Sequence, residues 1–597
     1  MKKYTICLTI IPAFLLFACN EKILDQTPLD SYSDPLIWSD ANLAGRYLNA
    51  VYDEIPNGNL KRGNHYGTGT FSGEHTYLKG GTLTEYDRGV ISPDNMGTDR
   101  GHLNWNRFTQ IQQINYFLSN IDKMPDEASA KILKGEALFL RALYYTHICL
   151  SYGGVPLFDQ PNQLGEDFSE TGRATFRETV DFIAKDCDDA AQLLNLKSAS
   201  VMGRATKEAA LALKSRILLF AASDLTADGQ AANEQVGYSN PDRVALWTAA
   251  RNAAKAVIDL GTCELSDFGA PNQEAVAKKY FEFFKAYTLE DKEVIWGRMY
   301  RLDVGFALWT NRWCGPNGLN CWGNNAPYGN MADEFEMKDG SRFFDHFTLN
   351  ANKEYVNTSS KFSNKSIYYN REPRFYASIL HDSTFWQKRP DDLISIDPEG
   401  IYDRRTRIVR ENGVEISKRF GLDTRQGPIS PQNAPYTGYL IKKMMDDQVA
   451  GVTDRNENIV IWIRYAEILL NYAEACLELG DVGTATSTIN RIRNRAGLPD
   501  FTGDVETALR HERRIELCFE NIRWFDERRW KTLEANFAEP LYGVDITEVR
   551  ENGVTTTTWQ QSYAAPERAF HKKLYWIPIP RDEINRAPNL VQNPFYE

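Results

Sequence analysis

The chain lacks the charge that nucleic acid requires. Its 68 Lys and Arg are outnumbered by 80 Asp and Glu, and no long cationic run offsets this balance. A phosphate-tracking groove needs clustered positive charge, so nucleic acid is excluded as a partner. Cysteine is scarce, at nine in 597 residues. No C-x-x-C occurs, and Cys314 and Cys321 have no histidine at zinc-ligand spacing. The eight histidines are scattered. His511-Glu512 is followed by Ile515 where a zinc-protease helix needs a second histidine. There is no G-x-S-x-G elbow, Gly67, Gly69 and Gly73 miss the dinucleotide fingerprint, and no calcium-loop pattern is visible. The expectation is a protein that is not an enzyme, with no cofactor and no metal. After the first twenty residues, no segment reaches bilayer-spanning length without charges.

The N-terminus carries a strong signal. "MKKYTICLTIIPAFLLFACN" joins Lys2 and Lys3 to an apolar run from about Tyr4 to Ala18, too short for a stable spanning helix and suited to a secretory leader over residues 1–18. It ends in Leu16-Phe17-Ala18-Cys19, which looks like a bacterial lipobox with Cys19 as the lipid-bearing residue. Ordinary cleavage would instead leave Cys19 a free thiol. Of the other cysteines, Cys149, Cys187, Cys476 and Cys518 lie in helical apolar patterns and read as small core residues. Export makes a disulfide chemically feasible, and Cys314 and Cys321 are the candidate pair.

A 3.6-residue apolar period marks Ser129 to Pro156, Arg173 to Leu194, Arg204 to Asp224 and Arg243 to Gly261. Thr206 and Gly261 are expected caps. A helix is expected from about Ile461 to Leu479, a turn at Gly480-Asp481, and a second helix ending at Gly497-Leu498-Pro499. Ala466, Ala473 and Ala475 would let the two approach closely, as in tetratricopeptide units. "HERRIELCFENIRWFDERRW" (His511 to Trp530) reads as one helix burying Ile515, Phe519 and Trp524. Its Glu512, Arg513, Arg514, Glu516, Glu520 and Arg523 would then form exposed pairs of a few tenths of a kcal/mol each.

Two regions break this rhythm. From about Thr262 to Asn458, Gly, Asn, Pro and aromatics dominate around short strands such as Glu293 to Tyr300, and residues 56–100 form a second irregular stretch. "WTNRWCGPNGLNCW" puts three tryptophans into a segment whose composition predicts a surface loop. A sugar ring has apolar C–H faces and a hydroxyl rim, so stacking aromatics interleaved with Asn, Asp and Arg suit it. The candidate ligand-binding residues are Trp309, Arg312, Trp313, Asn320, Trp322, Asn324 and Tyr328, with Tyr66, Phe71, His75, Tyr77, Asp99 and Arg100 from the earlier loop. Trp313 and Trp322 read as platforms and Trp309 as a core plug.

"GEALFLRALYYTHICLSYGGVPL" (Gly135 to Leu157), the helix pair ending at Pro499, the charged string to Trp530 and "LYWIPIPRDEINRAPNLVQNPFY" (Leu574 to Tyr596) together resemble the SusD/RagB family. Asn521 stands where that family more often has Gly. The resemblance implies a mainly α fold: about four tetratricopeptide-like helix pairs forming a scaffold, beside a long loop-rich region with short strands. It divides the chain into a helical part at 19–261, a ligand- or partner-facing insertion at 262–458, and a helical part with a tail at 459–597. It further implies a lipid-anchored, surface-exposed outer-membrane protein. Such a protein binds oligosaccharide and delivers it to a TonB-dependent transporter of the SusC type. Peptide capture on the same scaffold, or a purely protein-binding scaffold, are the alternatives.

Overall fold

The computed structural model describes residues 34–55, 67–96, 105–163, 165–269, 272–305 and 307–596. Cys19 with its leader, Tyr66, Asp99 and Arg100 lie outside the described residues. The helices that matter here are α1 (Ala41–Asp53), α2 (Phe108–Asn120), α3 (Glu127–Tyr152), α4 (Phe176–Leu193), α5 (Lys207–Ala222), α6 (Arg243–Asp259), α7 (Thr310–Cys314), α8 (Tyr465–Glu478), α9 (Val482–Arg495), α10 (Val505–Glu516) and α11 (Arg523–Arg529). The strands are β1 (Val294–Arg298), β2 (Arg405–Glu411), β3 (Val414–Phe420), β4 (Val460–Arg464), β5 (Tyr542–Glu551) and β6 (Val554–Tyr563). Among the described residues, no helix is long and apolar enough to cross a membrane.

The fold is mainly helical, as expected. Local sequence starts each helix by satisfying its free N–H groups. Thr175 and Glu178 form a reciprocal capping box on α4, Thr206 accepts from the Ala209 N–H on α5, and Asp242 accepts from the Ala245 N–H on α6. Pairs α1–α2, α3–α4, α5–α6 and α8–α9 pack together, and α6 packs against α8, joining segments two hundred residues apart. Ala250, Ala222 and Ala475 sit at that junction with Trp247 and Leu219. Ala466, Ala473 and Ala475 are fully buried, as close helix approach requires. Gly480, at φ +83°, turns the chain between α8 and α9.

Two expected helices are shorter than their periodicity suggests. The helix expected from Ile461 begins at Tyr465, because Val460–Arg464 is the strand β4, paired antiparallel with β1. The β-branched run Ile459-Val460-Ile461 and Ile463 favours that outcome. The string from His511 is also not one helix. It breaks after Glu516, passes through Phe519 (φ +63°) and Asn521 (φ +65°), and resumes as α11 at Arg523. Asn is among the few side chains that tolerate this left-handed conformation, and Gly tolerates it best. That accounts for Asn at a position where Gly is the commoner choice.

The charges of this string are not exposed, which overturns the surface-pair reading. Glu512 and Glu516 have no accessible surface, and Arg513 has 3%. Arg374 binds Glu372 (Nε–Oε2 2.7 Å), Glu516 (Nη1–Oε2 3.0 Å) and Glu512. Arg464, at the end of β4, binds Glu293 (Nη1–Oε1 2.8 Å), Glu516 (Nη1–Oε1 2.7 Å) and Glu520 (Nε–Oε2 2.7 Å). Arg495 from α9 bridges Glu293 (2.5 Å) and Glu516. Burial pushes the Glu516 carboxyl up, but Arg495, Arg464, Arg374 and Lys443 together hold it well below its ordinary value. The expected apolar anchors Ile515, Phe519 and Trp524 are buried as read. This ionic cluster fastens the irregular region to the helices, and its pairs span more than a hundred residues of sequence.

One element had gone unforeseen. Strands β6, β5, β2 and β3 form a four-stranded sheet in that order, with β5 and β2 parallel and the other neighbours antiparallel. The hexapeptide Val-Arg-Glu-Asn-Gly-Val occurs twice, at 409–414 and 549–554, and each copy makes a hairpin tip. Asn412 and Gly413 have φ +52° and +83°, and Asn552 and Gly553 have +49° and +81°, the signature of an Asn-Gly hairpin turn. The exposed edge strand β3 is blunted against further pairing by a bulge and by Glu415, Lys418 and Arg419.

Candidate functional site

The tryptophan segment folds as a short helix, α7, followed by a tight return. Trp309 precedes the helix, Pro316 leads a single turn over Asn317–Leu319, and Asn320 takes φ +57° to reverse the chain. The returning strand zips onto α7: the Trp322 N–H donates to the Arg312 carbonyl at 2.7 Å and the Asn324 N–H to the Trp313 carbonyl at 2.7 Å. Below it, Asn311 is buried with its amide fully used. Its Nδ2 donates to the carbonyls of Asp446 (2.5 Å) and Val449 (2.8 Å), and its Oδ1 accepts from the Asp446 N–H (3.0 Å) and Asn456 Nδ2 (2.9 Å). The loop is therefore held by hydrogen bonds. Cys314 and Cys321 are buried free thiols, so the candidate disulfide is not formed in this structure. Burial pushes both thiols up to about 12.

The two nominated loops meet. The Thr76 N–H donates to the Ala326 carbonyl at 2.8 Å, the Lys79 N–H to the Asn324 carbonyl at 2.7 Å, and the Thr76 hydroxyl to the same Asn324 carbonyl at 2.9 Å. Several nominated residues serve this seam and do not face a ligand. Phe71 has no exposed surface, His75 1%, Tyr328 2% and Asn324 3%. Phe71 packs on Tyr86 and Trp524, and Tyr328 belongs to a small cluster with Leu83 and Leu541. These four are core, not contact residues, because a ring without accessible surface cannot stack on a sugar. Asn320 is exposed and Tyr77 half-buried.

What remains at the surface is a ladder. Trp309, Arg312, Trp313 and Trp322 are each half-buried. The Arg312 guanidinium carbon lies 5.1 Å from the Trp309 ring centroid and 4.8 Å from that of Trp322. Trp322 meets Trp313 edge-on, centroids 4.4 Å apart at 80°. On the far side of Trp309, the Arg455 carbon lies 4.8 Å above the ring. Trp309 is thus clamped between two cations and exposed with the others, contrary to its reading as a core plug. Trp313 packs against the cluster containing Leu308, Leu319 and Met444. Sequence reasoning missed Arg455, and also Arg425, which stacks 3.7 Å over Tyr436. Spacing held no signal for either, since each meets its ring from a distant loop.

Beside the seam, Glu74 is buried with neither carboxylate oxygen hydrogen-bonded among the described residues. Burial pushes its carboxyl up to about 8, against the opposing charges of Arg523 and Arg514. A carboxyl whose folded pKa is raised destabilises the fold progressively as pH rises from its unfolded value toward the folded one. Glu74→Gln is therefore expected to raise the melting temperature, with the gain growing between pH 5 and pH 8. Thermal denaturation of both proteins across that range checks it, and a gain that is flat or shrinks with pH contradicts it. His75 is neutral, since burial lowers its pKa to about 4. Among the described residues, no group of three His, Cys, Asp or Glu could hold a metal ion.

Comparisons with known proteins agree with this architecture. The family profile described as the SusD family matches residues 288–596, and one described as starch-binding and associating with the outer membrane matches 40–219. A SusD-like protein, P38 of Formosa agariphila, is 22% identical over 547 residues, 88% of this chain and 92% of its own length. A crystallised SusD-like protein of Bacteroides fragilis superposes with a TM-score of 0.69 at 26% identity, over 96% of this chain and all of the other. A laminarin-binding SusD-like protein superposes at 0.58 with 19% identity, over 94% of this chain and all of the other.

Proposed function

The chain belongs to the SusD family, and from that premise we propose that it captures oligosaccharide at the outer membrane without chemically altering it. The observation that carries the reading is the half-exposed ladder of Trp309, Arg312, Trp322 and Trp313 on a rigid, hydrogen-bonded loop. An indole face suits the C–H face of a pyranose, and a guanidinium held between two indoles offers donors to hydroxyls at low entropic cost. Pre-organisation matters because weak stacking contacts only yield affinity when little ordering remains to be done. A laminarin-binding relative in fold and a starch-binding family description are consistent with this ligand class.

The finer parts of the proposal concern location and hand-off. Lipid on Cys19 would tether the mature chain at the cell surface, and a TonB-dependent transporter of the SusC type would receive the ligand. The experiment is a binding panel of neutral and acidic oligosaccharides against the mature protein, with chromatography of each ligand after incubation. Saturable binding of at least one glycan, recovered intact, is expected. No binding across the panel, or a cleaved ligand, would sink the proposal.

A further inference from the structure

The chain carries a net charge of −12, and most of its buried arginines are matched by carboxylates, as at Arg141–Asp186, Arg389–Asp423 and Arg529–Glu474. The cations of the tryptophan face are not. Among the described residues no carboxylate forms an ion pair with Arg312, Arg455, Arg425 or Lys79, and all four are half-buried. Arg312 and Arg455 are held by indole faces, and Arg425 lies over Tyr436 and donates to the Ala434 carbonyl at 3.2 Å. Asp423, whose charge could have served, is spent on Arg389 and on the Gly318 and Asp403 N–H groups.

Measured links make these cations one face. The Asn324 N–H donates to the Trp313 carbonyl and the Lys79 N–H to the Asn324 carbonyl, each at 2.7 Å, and the Tyr436 N–H donates to the Lys79 carbonyl at 2.8 Å. A run of contacts therefore leads from Arg455 through Trp309, Arg312, Trp322 and Trp313 to Lys79, Tyr436 and Arg425. Burial lowers the Lys79 pKa, and the like charge of Arg425 lowers it further, so positive charges crowd here without a counter-charge. Stacking on a ring orients a guanidinium while leaving its N–H edge open to an anion, and Arg recognises carboxylate and sulfate oxygens in paired fashion.

We propose that this face selects anionic glycans, carrying carboxylate or sulfate groups, over neutral ones. The proposal rests on the glycan-capture reading above and sharpens its substrate class. The rings engage sugar faces, as they would for any glycan, and the four unpaired cations supply the discrimination.

Matched ligands isolate the charge. Oligogalacturonate is compared with its methyl ester, and a carrageenan oligosaccharide with its desulfated form, by calorimetry at low and high salt. At least one anionic member is expected to bind about tenfold or more tightly than its neutral partner, as charge-assisted hydrogen bonds warrant. That advantage should shrink steeply on raising salt from 50 to 300 mM. Arg312→Gln and Arg455→Gln should reduce the anionic preference while leaving the melting temperature within a degree or two. The carboxylate arm and the sulfate arm report separately which anion is read. If neutral members bind as tightly as their anionic partners, or the arginine variants keep the full ratio, the selectivity proposal fails and glycan capture stands. If no oligosaccharide of either kind binds, the capture reading fails and takes the selectivity with it.

Discussion

Glu516→Ala is expected to destabilise the protein by about 3–5 kcal/mol, the range seen when one member of a buried ion pair is removed. Glu516 accepts from Arg374 at 3.0 Å, from Arg464 at 2.7 Å and from Arg495, and all four side chains are buried. Removing the acid leaves three guanidiniums sharing Glu293, Glu372, Glu512 and Glu520, away from water. The cost lies in these stranded charges more than in the intrinsic worth of each pair. Chemical denaturation of wild type and variant gives the difference, and a loss below about 1 kcal/mol would mean that water reaches the cluster. The pH dependence follows in sign. The Glu516 pKa is depressed in the fold, so its contribution is present above the ordinary glutamate pKa and fades as pH falls below it toward the folded value.

Trp322→Ala is expected to weaken glycan binding by tenfold or more while leaving the fold intact. Trp322 is the rung on which both neighbours depend, since it faces Arg312 at 4.8 Å and Trp313 at 4.4 Å. Its loss removes one stacking surface and frees the Arg312 guanidinium on one side, so affinity falls through contact and through pre-organisation together. Its half-exposed ring contributes less to the core than the buried Trp524 or Trp247, so the melting temperature should move by only a few degrees. Titration with the best ligand of the panel is the measurement. Unchanged affinity in a folded variant would move the binding face away from the ladder.

Helix periodicity, caps and Ala-rich contacts made the scaffold legible in the sequence, because each is a local signal repeated over many residues. The Asn-Gly tips at 412–413 and 552–553 were equally local, yet the sheet they terminate was passed over among irregular sequence. The charge-rich string from His511 misled for a different reason. Its spacing matches exposed i,i+4 pairs, and only the arrival of Arg374, Arg464 and Arg495 from elsewhere makes burial affordable. At the site, composition picked out Trp309, Arg312, Trp313 and Trp322, but could not separate exposed rings from Phe71 and Tyr328 in the core. Arg455 and Arg425 depend on tertiary contact and left no trace in spacing.

The twin hairpins constrain how the chain reaches its native state. Strand β2 finds its parallel neighbour only in β5, with Arg405 opposite Ile546 and Arg410 opposite Glu551. Until nearly nine-tenths of the chain is available, β2 has that edge open, and non-local closure of this kind is slow. During that interval the first Val-Arg-Glu-Asn-Gly-Val hairpin is an unpaired two-stranded ribbon, marginal by itself in water. A chain released without its last sixty residues would therefore lose order around residues 405–420, far in sequence from the missing end. Limited proteolysis of such a truncation should cut there first.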